Sequence, residues 1–268
     1  MRCFSRIVFL GGTTALILAG CAHRQPRIED LPLPAAGQLL RKLEQNHSAL
    51  IDLKAEGLLK LRGRGQSNSF GIRIQYLRPD YLSLTLIGQL GIDLGTLLLS
   101  QGKYQFSYPL AGIASTGEIA DLSFANLSGL DLNSEQITDL FLPLPRIQQI
   151  PDSILIHQDI ERQLYYFSWS DSSMNYHYWI HPFQPVVAAE VRISAVDDTI
   201  LYRSTDRVRE YSGVFLPQSW NLQIGCGENA YLTEIKLTNI HLQNELSPAD
   251  FEIDEVDAGD STEAPYAR

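Results

Sequence analysis

Apolar and polar side chains alternate along two consecutive segments between Ser69 and Gln101. A turn at residues 78–80 separates the two segments. Alternation with a period of two is typical of antiparallel strands that bury one face. The apolar positions of the two segments are Phe70, Ile72, Ile74, Leu82, Leu84 and Leu86. The pattern therefore predicts a β-hairpin whose inward side lines whatever the domain encloses.

The loop after this hairpin, residues 87–94, is unusually apolar. It connects two predicted strands, yet it carries Leu90 and Ile92 between glycines. Loops are normally polar because they face water. Two interpretations remain open: the loop is a buried corner of the fold, or it is a surface that contacts something apolar.

Strand patterns also dominate the rest of the chain. Alternation recurs at 53–62, 104–108 and 113–119, and again at 153–158, 163–169, 175–181, 186–194, 200–207, 213–225 and 230–243. Many short strands separated by turn residues indicate a sandwich, a barrel or a large curved sheet. The fold class predicted from these patterns is mainly β.

Two amphipathic helices interrupt the strands. The first is predicted near residues 35–48, and the second follows a capping-box pattern at residues 133–136 and ends at Pro143. Both present an apolar stripe to one side of the sheet. The stripe residues that we expect to cover the sheet as a lid are Leu39, Leu43, Ile137, Leu140 and Phe141. So few helices would leave a hydrophobic cavity on a curved sheet, whereas the plainer alternative is a packed core.

The N-terminus predicts a lipid anchor. Two arginines precede an apolar run at residues 7–18, which is the order found in secretory signal peptides. The run ends in Leu18-Ala19-Gly20-Cys21, which resembles the bacterial lipobox. The resemblance implies that residues 1–20 are removed, that Cys21 is lipidated, and that Ala22 directs the protein to the outer membrane. An ordinary signal sequence with a chance cysteine is the alternative. Residues 21–36 contain three prolines and are predicted to be a tether.

Charge and residue content argue against several functions. The net charge is −10, which disfavours nucleic acid as a partner. His177 and His181 are four residues apart on a predicted strand, which separates them by about 13 Å, too far to share a metal ion. No spacing of carboxylates or nucleophiles indicates a catalytic site. We therefore expect a protein without cofactor or metal that is not an enzyme. Cys226 is expected to be a small core residue, and the acidic tail at 254–268 to be disordered.

Several short patterns resemble the LolA/LolB-like outer-membrane lipoprotein-sorting family. The lipobox and amphipathic helix are followed by Leu-x-x-x-Gly-x-x-x-x-x-Gly-x-Gly from Leu53 to Gly65. Further matches are Tyr76–Asp80, Leu90-Gly91 and the closing segment Leu246–Ile253. The resemblance covers most of the chain thinly and only residues 50–95 densely. This chain departs from the family in its length, its very apolar segment at 140–145 and its acidic tail.

The resemblance implies a fold and a function. The domain at 37–253 would be an unclosed antiparallel β-barrel, with helices covering a hydrophobic cavity for lipoprotein acyl chains. Leu90 would match the protruding leucine of the membrane-anchored receptor, with Ile92 beside it. The expected partners are acyl chains of lipoproteins or lipid, a soluble periplasmic lipoprotein carrier and the inner leaflet of the outer membrane. We expect a monomer. A lipid- or lipoprotein-sensing module and a structural subunit of an outer-membrane assembly remain alternatives.

Overall fold

The structure is a computed structural model that describes residues 26–63, 65–119, 134–147, 150–151, 153–194, 200–225 and 230–253. For residues 134–137 and 200 it describes the backbone alone. Several predictions lie outside the described residues: the signal peptide, lipidation at Cys21, the role of Cys226, the acidic tail and the side chain of Ile137.

The described residues form strands that join into one sheet. The strands are β1 Asp52–Gly63, β2 Gln66–Leu77, β3 Tyr81–Ile87, β4 Asp93–Ser100, β5 Lys103–Tyr108, β6 Ile113–Glu118, β7 His157–Asp159, β8 Leu164–Ser170, β9 Met174–Ile180, β10 Val187–Ser194, β11 Ile200–Tyr211, β12 Val214–Ile224 and β13 Tyr231–His241. Their order is β6-β5-β4-β3-β2-β1-β13-β12-β11-β10-β9-β8-β7. Every neighbouring pair is antiparallel, and the sheet does not close because β6 and β7 are its two edges. The predicted class, a mainly β protein built on an unclosed antiparallel sheet, is confirmed.

Most strands lie where the alternation predicts them. The exception among the described residues is the segment predicted at 153–158, of which only the last two residues become strand. β7 spans His157–Asp159 because these residues alone pair with β8. Ile154 instead places its side chain in a buried cluster.

The sheet carries two described helices, α1 at Ala36–Ala49 and α2 at Ser134–Phe141. The side chain of Asn46 in α1 holds the backbone of Phe215 in β12 with two hydrogen bonds. It donates to the carbonyl oxygen at 2.9 Å and accepts from the amide nitrogen at 2.8 Å. Among the described residues, no helix has both the length and the apolar content that crossing a bilayer requires.

The buried side chains form two clusters. The larger contains four of the six inward residues of the β2–β3 hairpin together with Leu140, Leu142, Leu144 and Trp220. Ile72, Ile74, Leu82 and Leu84 are buried there, whereas Phe70 and Leu86 are partly buried against it. The smaller cluster includes Leu39 of α1 with Phe167 and Tyr178, and Leu43 packs against it.

Part of the predicted tether packs on the domain. The side chain of Ile28 is buried, and its backbone N–H donates to Oε1 of Gln163 at 2.9 Å. The amide of Gln158 donates to the carbonyl oxygens of Ile28 and Leu31, at 2.7 and 2.8 Å. The chain is therefore attached beside the β7–β8 turn from Ile28 onward, although the predicted tether extends to residue 36.

Candidate functional site

The loop between β3 and β4 presents an exposed leucine. Residues Gln89–Gly91 form a single 3₁₀ turn, closed by a hydrogen bond of 2.8 Å from the N–H of Gly88 to the carbonyl oxygen of Ile92. The side chain of Leu90 is 97% exposed and that of Ile92 is 49% exposed. The loop is therefore an exposed apolar tip and not a buried corner.

Leu90 also has an unfavourable backbone conformation. Its φ is 64° and its ψ is 15°, which lies in the left-handed region that leucine seldom adopts. Such a conformation costs on the order of 1 kcal/mol. The exposed side chain recovers none of this cost through packing within the described protein. The tip is therefore a candidate for contact with another apolar surface.

The interior beside the β2–β3 hairpin is filled by the segment Leu140–Leu144. The side chains of Leu140, Leu142 and Leu144 are all buried in the larger cluster, and Phe141 is partly buried against it. Two of the predicted lid residues, Leu140 and Phe141, thus belong to or pack against the cluster that contains predicted cavity-lining residues. In this structure the chain's own leucines belong to the same buried cluster as the inward residues of the hairpin.

Buried hydrogen-bond donors from the sheet hold this segment. The guanidinium of Arg203 in β11 donates to the carbonyl oxygen of Asp139 at 2.6 Å and also to that of Leu142. Nε1 of Trp220 in β12 donates to the carbonyl oxygen of Leu140 at 3.2 Å. The last carbonyls of a helix lack partners within the helix, so donors of this kind satisfy the end of α2.

Charged groups are buried around these contacts. Burial lowers the pKa of Arg203 to about 10, which leaves it protonated at neutral pH. Burial also raises the pKa of Asp139 to about 7, although the nearby charge of Arg146 opposes the rise. Glu190 and Arg192 form a buried ion pair at 3.5 Å on β10. The segment therefore rests on a polar network as well as on apolar packing.

A groove opens between α1, residues 144–147 with Ile150, and residues 185–187. Its volume is about 260 Å³, and its walls are largely apolar, with Leu43, Leu144 and Ile147 among them. His47 lies in the groove, and Nδ1 of its buried ring has no hydrogen-bond partner among the described residues. Burial, aided by Arg146, lowers the pKa of His47 to about 4, so the ring is neutral at pH 7.

The groove differs from the cavity that the sequence predicts. Among the described lid residues Leu43 lines it, whereas the six predicted cavity-lining residues of the β2–β3 hairpin do not. Those six belong to, or pack against, the cluster that contains the Leu140–Leu144 segment. The apolar run at 140–145 was the sequence signal for this filling.

The described residues offer no metal centre. No group of three or more His, Cys, Asp or Glu side chains is suitably placed within the part of the chain that the structure covers. His177, one of the two histidines considered for a metal site in the sequence analysis, lies on β9 with its Nδ1 2.8 Å from the hydroxyl oxygen of Tyr166.

Solved structures share this architecture. An outer membrane lipoprotein-sorting protein domain from Vibrio parahaemolyticus matches with a TM-score of 0.55 and 12% identity, over 81% of this chain and 97% of that chain. A LolA superfamily protein from Nitrosomonas europaea matches with a TM-score of 0.52 and 8% identity, over 84% of this chain and 100% of the other. The chain has a LolA/LolB-like fold. A DUF1329 family protein from Desulfovibrio piger also shares it, with a TM-score of 0.55 and 13% identity, over 80% of this chain and 95% of that chain. No protein-family model and no curated protein sequence matches the chain.

Proposed function

We propose that this protein is lipid-anchored in the outer membrane, faces the periplasm, and helps to insert lipoproteins into that membrane. It binds their acyl chains and does so without covalent chemistry. The observation that carries the proposal is Leu90, an exposed leucine on a strained loop of a LolA/LolB-like fold. The lipobox pattern ending at Cys21 and the lipoprotein-sorting domain among the structural neighbours support the same function.

Acyl chains enter by displacing the Leu140–Leu144 segment. Its three buried leucines contribute roughly 5–9 kcal/mol of apolar burial, taking roughly 1.5–3 kcal/mol for each. An acyl chain of about twelve methylenes gains a comparable amount, about 10 kcal/mol at 0.8 kcal/mol for each methylene. In apolar burial alone the exchange is therefore near balance, as a protein that both takes up and releases its ligand requires. The groove beside His47 borders α1 and Leu144, and we propose it as the point of entry.

Release follows contact of the loop with the inner leaflet. Burying Leu90 and the half-exposed Ile92 in the bilayer contributes roughly 2–4 kcal/mol in total. That amount favours a transient contact, while the lipid on Cys21 keeps the protein at the membrane. A soluble periplasmic carrier would deliver the lipoprotein to the monomeric, anchored protein.

The experiment that tests the proposal replaces Leu90 by Glu and measures incorporation of a labelled lipoprotein into outer membranes. Incorporation should fall because a carboxylate opposes entry of the loop into hydrocarbon. Ile51→Glu is the matched control, since Ile51 is 63% exposed and directly precedes β1, whose first residue pairs with Leu77 at the end of the sheet opposite to the Leu90 loop. Incorporation by Leu90→Glu equal to that of the control would refute the proposed mechanism.

Two further measurements separate the alternatives. Mass spectrometry of the purified protein should detect bound acyl chains, which a purely structural subunit would lack. A sensing module would bind acyl chains, yet Leu90→Glu would leave lipoprotein incorporation unchanged. Cys21→Ala should release the protein into the soluble periplasm; retention at the membrane would refute the lipid anchor.

A further inference from the structure

A second exposed apolar tip lies beside the Leu90 loop. β4 pairs with both β3 and β5, so the β3–β4 loop and the β5–β6 turn project from the same end of the sheet. Two strand spacings, about 10 Å, separate neighbouring hairpins in such a sheet. The second tip is the 3₁₀ turn Pro109–Ala111, in which Leu110 is 63% exposed. Tyr108 and Ile113, which pair across its base, are exposed as well.

Both tips have the chemistry of a surface that enters a bilayer. Residues 87–92 and 108–115 contain no charged side chain, in a chain whose net charge is −10. Each turn also closes its own backbone hydrogen bond: Gly88 donates to Ile92 at 2.8 Å, and Gly112 donates to Pro109 at 3.1 Å. This matters because unsatisfied backbone groups are costly in hydrocarbon. Tyr108 adds an aromatic ring of the kind enriched at membrane interfaces.

The apolar face of the sheet continues into this second hairpin. The register places Ile74, Leu84, Leu97 and Phe106 opposite one another on successive strands, and directly opposed residues share a face. Ile74 and Leu84 are buried, whereas Phe106 is 42% exposed because β5 lies near the edge of the sheet. A row of apolar side chains thus leads from the core to the exposed hairpin, which favours lipid over a folded protein as the occupant.

We propose that the β5–β6 hairpin is a second membrane-contacting segment, whose Leu110 tip enters the same leaflet as Leu90. Together the two tips form a platform on the bilayer, and the row ending at Phe106 gives an acyl chain an apolar track between the interior and the leaflet. The inference rests on the proposed function, because it takes contact of Leu90 with lipid as its starting point.

The test uses introduced tryptophans in the full-length, lipidated protein. Leu110→Trp, Leu90→Trp and Ile51→Trp are each reconstituted in phosphatidylcholine vesicles, with and without brominated acyl chains. The emission of the parent protein, which has three tryptophans, is subtracted. All three side chains are exposed, so the substitutions leave the core intact. The tryptophans at 110 and 90 should lose emission by about twofold or more, because a membrane-contacting indole lies near the lipid chains. The tryptophan at 51 should not.

Each result decides between the two contacts. Quenching at 90 without quenching at 110 overturns the second contact and leaves the proposed function standing. Absence of quenching at both positions overturns both. Equal quenching at 51 overturns the platform, because contact with the bilayer would then not be confined to the tips.

Discussion

The buried carboxyl of Asp139 makes the fold more stable at low pH. Its pKa is raised from 3.8 to about 7, chiefly by burial and also by the charge of Glu190, while Arg146 and Arg192 oppose the rise. Because the folded pKa lies above the unfolded value, the folded state holds this proton more tightly. The stabilisation is complete below about pH 4 and is lost as the pH rises through about 7. The rise in the pKa of Asp139 to about 7 corresponds to about 4 kcal/mol.

The buried imidazole of His47 acts in the opposite direction. Its pKa is lowered from 6.5 to about 4 by burial, then by the charges of Arg146 and Arg78, against an opposing effect of Glu44. The unfolded state therefore binds the proton more tightly. The stabilisation is present above about pH 6.5 and is lost as the pH falls through about 4, by about 3 kcal/mol at most.

These two dependences oppose each other between about pH 4 and about pH 6.5 and should largely cancel in the parent protein. In Asp139→Asn the dependence that His47 contributes should remain alone, so that the free energy of unfolding falls as the pH falls. In His47→Gln the dependence that Asp139 contributes should remain alone, so that the free energy of unfolding falls as the pH rises. Asn can still accept the hydrogen bond of 3.2 Å that the backbone N–H of Arg146 donates to Asp139.

The assay is the free energy of unfolding in urea, measured at intervals between about pH 4 and about pH 7. Differences between each variant and the parent remove the contribution of the other carboxyl groups. The double variant serves as the control, because its profile should again be nearly flat. Slopes of the same sign in both single variants would refute the reasoning.

Three further predictions concern packing. Asn46→Ala removes both hydrogen bonds to Phe215 and should lower the free energy of unfolding in urea by about 2–4 kcal/mol; a loss below about 1 kcal/mol would contradict this role. Gly57→Ala places a Cβ against the backbone oxygen of Lys236 in β13, and should cost about 1–3 kcal/mol in thermal unfolding; an unchanged melting temperature would contradict that close approach. Leu142→Ala should cost about 2–5 kcal/mol and raise affinity for a fluorescent fatty acid. Leu237 is buried in the sheet, and Leu237→Ala should cost as much without the gain in affinity. Equal affinities of the two variants for the fatty acid would contradict displacement of the Leu140–Leu144 segment.

The sheet could be predicted because its strands bury one face. Ile72 and Leu82 sit in segments where alternation is uninterrupted, and both are buried in the structure. The α1 prediction was also close, because its apolar stripe repeats with helical spacing over residues 36–49. These features depend on local pattern, which a single sequence displays directly.

The apolar run at 140–145 marked the segment that fills the interior, but local pattern alone could not show how that segment packs. The apolar stripe predicted that Leu140 covers the sheet, but hydrophobicity does not distinguish a lid above a cavity from a segment packed within that cavity. The donors that fix the segment, Arg203 and Trp220, lie 60 to 80 residues away in sequence. One signal was available: Arg203 is in phase with buried Leu201 on β11, which placed it on the inward face.

Under the proposed function, these donors also constrain the ligand. If the Leu140–Leu144 segment leaves, the buried guanidinium of Arg203 and the indole N–H of Trp220 lose their carbonyl acceptors. An unpaired buried donor costs about 1–3 kcal/mol, and more for a charged group. A ligand with ester carbonyls at the head of its acyl chains restores those acceptors, whereas a purely hydrocarbon ligand does not.

We therefore expect a diacylglycerol to displace a fluorescent fatty acid at about tenfold lower concentration than a dialkylglycerol ether with the same chains, since tenfold corresponds to about 1.4 kcal/mol. Arg203→Met should reduce that preference while leaving the apolar contacts in place, with circular dichroism confirming that the variant is folded. Equal displacement by the ester and the ether would contradict a role for these donors in binding. In that case burial of the hydrocarbon alone would determine the affinity, because the acceptors would make no difference.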